Sequence, residues 1–180
     1  MPLVPVSLVP GAQTRPASNG VEIHLDLASI QGESPSSTHS NEIEIVSFQW
    51  GVSNSPINTK DGVVKGGRVS MTEITLTKAF DKASVQLLSA AATGKIFKTA
   101  TISWSKSTGN KTPEDFLTIT LTGVLITSVQ QSSSRASEGL GTETVSLSFD
   151  KVSMDYKVQS KSGLLTSAGQ MTYDLAQGKA

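Results

Sequence analysis

Cysteine is absent from this 180-residue chain, which removes disulfides, thiolate metal sites and thiol nucleophiles together. Charge is scarce, at 17% of residues, and balanced at 15 basic against 15 acidic side chains. No net field exists to recruit nucleic acid or an anionic membrane, so neither is expected as a partner. No apolar run approaches the roughly eighteen residues that cross a bilayer, which points to a soluble chain. Aromatics make up only 5% and histidine occurs twice, so a histidine-based triad would have to use His24 or His39. His24 falls mid-strand on a polar face and reads as an exposed structural residue. His39 sits in a serine-rich loop beside Ser37 and Ser40, where adjacency carries little information. A G-x-S-x-G elbow, a P-loop and a complete dinucleotide fingerprint are all missing. Glu42 and Glu44 share a strand face, but two acids alone make a weak metal site. The residues therefore predict no enzyme, no catalytic or metal site, no cofactor and no small-molecule substrate.

What is abundant is hydroxyl: 27 Ser and 19 Thr, about a quarter of the chain. Such a chain suits strands. Four of seven prolines fall within residues 1–20, together with Gly11 and Gly20, and predict a flexible or extended arm. The opening Met1 to Pro10 is apolar, but its prolines and the lack of a preceding Lys or Arg argue against a cleaved secretory signal. From Val21 the pattern alternates: Val21, Ile23, Leu25 and Leu27 face one way, Glu22, His24 and Asp26 the other. A second strand is expected over about 42–53, and its phase slips by one between Ile45 and Phe48. A β-bulge near Val46 and Ser47 would explain the slip. Similar slips separate Val69 and Met71 from Ile74 and Leu76, and Val145, Leu147 and Phe149 from Val152, Met154 and Tyr156. Strands re-phased this often suit a curved sheet or barrel.

Residues 54–67 read as a long loop, and the apolar residues within it suggest that it lies against another surface. Its Pro56, Ile57, Asp61, Gly62, Val63, Val64, Gly66 and Gly67 are the candidate interface residues. One helix is expected over 82–93, with Asp81 capping, Val85, Leu88 and Ala92 forming the apolar stripe, Leu87 and Ala91 widening it, and Gly94 closing it. Further strands are expected at 99–105, 116–129 and 142–158. In the second of these predicted segments Leu117, Ile119, Leu121 and Leu125 fill one face, and Thr118, Thr120 and Thr122 the other. The pattern is thus mainly β: a twisted antiparallel β-barrel of two sheets with one helix, spanning 21–158, with a tail at 159–180 that packs on or extends the barrel. The alternation in Trp50 and Trp104 favours core packing over a ligand-stacking role in a monomeric binding barrel.

Several blocks together resemble Hcp, the haemolysin-coregulated tube protein family of bacterial type VI secretion systems. They are Ile30 with Gly32-Glu33-Ser34, His39, Glu42-Ile43-Glu44, Trp50 to Ser53, Lys78 to Ser84, Leu87-Leu88, Gly94-Lys95, Leu117 to Val124 and Thr142 to Phe149. The arm 1–20 has no counterpart in the usual short form. The resemblance implies a homo-hexameric ring that stacks into a tube, carries or chaperones effectors, and works with a VgrG-like spike protein and a contractile sheath. It also implies assembly in the bacterial cytoplasm and secretion without a cleaved signal peptide. A phage-like tail tube is a related expectation with the same architecture.

Overall fold

The computed structural model describes residues 20–58, 62, 64–110, 112–134, 141–161 and 163–178. All of the expected arm except Gly20 lies outside the described residues. The first half of the chain contains β1 (Val21–Leu27), β2 (Ile43–Ile45), β3 (Ser47–Gln49), β4 (Val52–Asn54), β5 (Ile57–Asn58), β6 (Val64–Lys65), β7 (Val69–Met71) and β8 (Ile74–Ala79). Then follow α1 (Ser84–Thr93), β9 (Ile96–Lys106), β10 (Glu114–Ser132), β11 (Thr142–Ser148), β12 (Lys151–Gln159) and β13 (Leu165–Asp174).

Nine strands form one antiparallel sheet in the order β2-β1-β9-β10-β11-β8-β3, with β12 on β10 and β13 on β12. The mainly β architecture with one helix is therefore as the pattern predicts, but the barrel is not closed by a continuous ladder. Its two ends, β2 and β3, are consecutive pieces of chain separated by Val46, which is 68% exposed. The expected bulge at 46–47 is thus a change of partner. Ile45 still pairs with Ile23 of β1, whereas Ser47 pairs with Thr77 of β8 at the far side of the sheet. One residue reverses which face points inward, and the sheet curls until Phe48 on β3 meets Trp104 on β9 edge to face at 4.9 Å. Between them the halves enclose Leu25, Ile43, Ile102, Ile119, Leu76 and Leu147, all fully buried.

The second slip is also a change of partner: β7 pairs with β4 outside the main sheet, and β8 enters the main sheet after Thr72 and Glu73. The third slip is different. Leu125 pairs with Ser148 and Thr122 with Lys151, so the register continues straight through the interruption at Phe149 and Asp150. Both strands change face at the same place. Leu121 and Val152 are buried before it, Val124 and Phe149 after it, and Leu125 is only half-buried, contrary to its expected place in the core face. Gly123 makes this possible with φ of 65°, since a Cβ there would come within 2.0 Å of Asp150 Oδ2.

The helix begins two residues later than expected and turns a different face inward. Ser84, Leu87 and Ala90 are buried, while Val85 is 76% and Leu88 45% exposed and Ala92 is exposed. The Leu87-Leu88 pair offers two apolar ridges, and the buried hydrogen bond from Ser84 Oγ to Glu143 Oε2 (2.8 Å) selects the one containing Leu87. Asp81 works from outside the helix proper, accepting from the Ala83 N–H at 2.8 Å. Gly94 closes the helix in the left-handed region at φ 64°, as its position predicts.

Candidate assembly surface and the polar clusters beside it

The segment 54–67 is not a loop but the greater part of a two-stranded ribbon. Val52–Asn54 pairs with Val69–Met71 and Ile57–Asn58 with Val64–Lys65. Its base is stitched by the Ser55 N–H to Arg68 O (3.2 Å) and the Gly67 N–H to Asn54 Oδ1 (2.9 Å). Any side chain at Gly67 would put a Cβ 1.7 Å from the Ser55 carbonyl oxygen, so glycine permits this crossing. Pro56 and Gly66 are exposed, Gly62 turns at φ 75°, and Val64 lies in β6. Asp61 and Val63 lie outside the described residues. Every described side chain from Val52 to Ile57 is exposed, including Val52 at 61% and Ile57 at 57%. Within one copy these aliphatic groups stand clear of the barrel.

The two histidines do something other than their sequence positions suggest. His24 is fully buried rather than exposed, because the loop leading to β2 folds over the polar face of β1 and stacks His39 on it, ring centroids 4.6 Å apart. His39 Nδ1 lies 3.0 Å from Glu42 Oε2, and its Nε2 lies 2.9 Å from Asp115 Oδ1. Burial alone would lower the His39 pKa, but the hydrogen bonds and charges of Asp115 and Glu42 outweigh it and raise the value above 6.5. Burial holds the Glu42 carboxyl above its ordinary range despite His39, with Asp26 and Asp115 adding to the rise. With both ring nitrogens held by carboxylates, His39 has no free nitrogen to activate Ser37 or Ser40. It clamps the loop to the start of β10. Asp115, the second residue of β10, is the far jaw of that clamp.

A second cluster went unnoticed in the sequence. Lys78 and Glu143 face each other across the β8–β11 ladder, and both side chains are buried. Lys78 Nζ donates to Glu143 Oε2 and to Asp81 Oδ1, each at 2.8 Å, and Gln131 Nε2 donates to Glu143 Oε1 at 2.6 Å. Burial by itself would raise the Glu143 pKa, but hydrogen bonds from Lys78, Gln131 and Ser84 lower it below the ordinary value. A signal was present: Lys78 follows Ile74 and Leu76 in the inward phase of its strand, and Glu143 precedes Val145 and Leu147 in theirs. Opposite charges at inward positions of two strands call for pairing.

The tryptophans are structural. Trp104 is 9% exposed against Phe48, and Trp50 packs edge to face on Phe149 at 6.1 Å. On the opposite face of the sheet, Thr101 of β9 pairs with Thr120 of β10, and Ser103 with Thr118. Ser153 and Asp155 of β12 continue those rows. Among the described residues, no group of three or more His, Asp or Glu is placed to hold a metal.

A curled sheet with a filled interior, a protruding ribbon and polar side chains committed to internal clamps defines a structural building block. The family described as "Type VI secretion system effector, Hcp" matches residues 24–156, and the chain belongs to that family. It is a tube protein of the type VI secretion system. "Protein hcp1" of Pseudomonas aeruginosa is 33% identical over 143 residues, 79% of this chain and 87% of that protein. A structure titled "Structure of a type six secretion system protein" superposes with a TM-score of 0.80 at 27% identity, covering 88% of this chain and 98% of the other. Hcp1 from Salmonella typhimurium superposes at 0.67 with 29% identity, covering 89% and 98%. A type VI secretion system effector from Yersinia pestis gives 0.64 at 31% identity, covering 84% and 98%.

Proposed function

We propose that six copies close into a ring, that rings stack into the inner tube, and that the tube, tipped by a VgrG-like spike protein, is expelled by a contracting sheath with effectors inside. The chain folds in the bacterial cytoplasm and leaves through this machine. The observation that carries the reading is the ribbon, which presents Val52 and Ile57 to solvent on a chain of the Hcp family. Apolar side chains on a stiff projection fit a neighbouring copy, and a head-to-tail contact that closes gives a ring. The Thr101, Thr118 and Thr120 face then lines the bore, where hydroxyls with little charge let cargo pass without strong adhesion. The test compares the full chain with a variant lacking 56–65, by light scattering and by microscopy of particles viewed down their axis. A hexamer mass and a central hole are expected for the full chain and a smaller species for the variant. A monomeric full chain refutes the reading.

A further inference from the structure

The segment between β1 and β2 covers the polar face of the sheet in a way its own composition does not explain. Residues 35–40 comprise one proline, four hydroxyl side chains and His39, and His39 is the only one of them that is buried. A single imidazole therefore anchors the tip. The segment closes at its base, where the Asn41 N–H donates to Ser34 O (3.0 Å) and the Ser34 N–H to Glu42 O (3.1 Å). The return into β2 passes through Asn41 at φ 60°, a left-handed conformation that asparagine accepts more readily than most residues. On the outer flank Ser40, Asn41 and Glu42 border an open cavity of about 540 Å³, which leaves the tip room to move. Underneath, His24, Ser103 and Ser105 are buried, although Thr101, Thr118 and Thr120 on the same face are half-buried only. Ser105 Oγ has no hydrogen-bond partner among the described residues, so this burial is held at a cost.

The anchor carries its own release. Both ring nitrogens of His39 face carboxylate oxygens, Nδ1 at 3.0 Å from Glu42 Oε2 and Nε2 at 2.9 Å from Asp115 Oδ1. Only an imidazolium donates from both nitrogens, and a neutral ring turns the lone pair of one of them toward a carboxylate. The other titratable and charged groups around it are Glu22, His24 and Asp26 on β1, Glu44 opposite His24 on β2, and Lys82, whose Nζ lies 3.4 Å from Asn41 Oδ1. β9 contributes Ser103 and Ser105, which do not titrate. Loss of one proton thus leaves Glu42 and Asp115 competing for one N–H, with Asp26 adding to the repulsion. We propose that residues 35–40 are a proton-latched lid, shut while His39 is an imidazolium and open once the ring is neutral, when His24, Ser103 and Ser105 meet solvent. Despite burial, Asp115 and Glu42 raise the His39 pKa, which places release on the alkaline side of 6.5. The uncovered face continues the threonine rows, since Ser103 pairs with Thr118. Opening enlarges that hydroxyl surface within one copy, independently of ring formation.

The absence of cysteine supplies the test. Ser105→Cys in the full chain places a single thiol under the lid, and its alkylation by iodoacetamide is followed at pH 6 and pH 9. Each rate is divided by that of the same chain unfolded in urea, which corrects for the thiolate fraction. The corrected rate is expected to rise at least tenfold from pH 6 to pH 9. His39→Gln in the same background is neutral at every pH and is expected to give the fast rate at both. Asp115→Asn offers an amide N–H to the neutral ring nitrogen and is expected to hold the lid shut at pH 9. Ala90→Cys, in the otherwise natural chain, puts the thiol beneath the helix instead and is expected to stay slow at both values. An unchanged corrected rate for Ser105→Cys overturns the proposal, as does a rise that survives His39→Gln or that Ala90→Cys shares. So does opening of the Asp115→Asn variant at pH 9, which would show that the ring's lone pair is not what releases the lid.

Discussion

Lys78 Nζ and Glu143 Oε2 lie 2.8 Å apart with their side chains almost wholly shielded from water, joining β8 to β11 beneath the start of the helix. A buried pair of this kind is costly to halve, because the surviving charge keeps its desolvation cost and loses its partner. Lys78→Met is therefore expected to lower stability by about 3–5 kcal/mol in urea unfolding. Lys78→Met combined with Glu143→Leu is expected to recover a large part of that loss. If the double variant is less stable than the single one, the network is held by more than charge pairing. Because the Glu143 pKa is depressed in the fold, its stabilisation is present above about pH 4.5 and is lost as the pH falls through the folded value.

The His39 clamp has the opposite pH sign. Its pKa is raised on folding, so its contribution is complete below about pH 6.5 and disappears as the pH rises through the folded value. The raised Glu42 pKa acts in the same direction at lower pH, where proton loss from the folded state also reduces stability. His39→Phe keeps a ring to stack on His24 but loses both carboxylate bonds, worth about 1–3 kcal/mol together when charged. The stability gap between the natural chain and His39→Phe should be larger at pH 6 than at pH 9. An equal gap at both values would show that the imidazolium is not what holds the loop.

Leu87 and Leu88 are adjacent in sequence and opposite in role. Leu87 is fully buried and Leu88 is 45% exposed. Leu87→Ala should cost about 2–5 kcal/mol, and Leu88→Ala under about 1 kcal/mol by thermal unfolding of the isolated chain. Comparable losses would mean that the helix is rotated from the orientation described.

These two leucines also mark how far sequence reasoning reaches. Alternation located β1, β9 and β10, because period two survives wherever one face of a strand is buried. The same patterning fixed the existence of the helix, yet Val85, Leu88 and Ala92 fit its period as well as Ser84, Leu87 and Ala90. Only the Ser84 contact with Glu143, 59 residues away in the chain, separates the alternatives. The phase slips were legible as irregularities but not as causes. A bulge and an exchange of partner leave the same mark on one strand, and the distinction rests on which distant strand accepts each half. Likewise, nothing local to His39 reveals Asp115, its partner 76 residues on.

Gly123 sits where both β10 and the β11–β12 edge turn over their faces. Its φ of 65° disfavours any side chain, and a Cβ would come within 2.0 Å of Asp150 Oδ2. Backbone strain alone costs an L-residue roughly 1–2 kcal/mol in the left-handed region. Gly123→Ala should exceed that range in the natural background and return toward it when combined with Asp150→Gly. A single alanine variant as stable as the natural chain would show that the kink does not need glycine.

The ribbon makes the sharpest separation between folding and assembly. Ile57 is 57% exposed within one copy, so Ile57→Asp removes little from the chain's own core. A surface change of this kind alters stability by about 0.5 kcal/mol or less. Placed in a contact between copies, the same carboxylate must be buried without a partner, at several times that cost. Ile57→Asp is therefore expected to leave the unfolding midpoint of dilute single chains nearly unchanged while shifting the mass seen by light scattering from ring toward monomer. Asn54→Ala, which removes the acceptor for the Gly67 N–H at the ribbon base, should act in the same direction by loosening the projection. A ring of full mass in both variants would take the ribbon out of the contact between neighbours and leave another surface to close the ring.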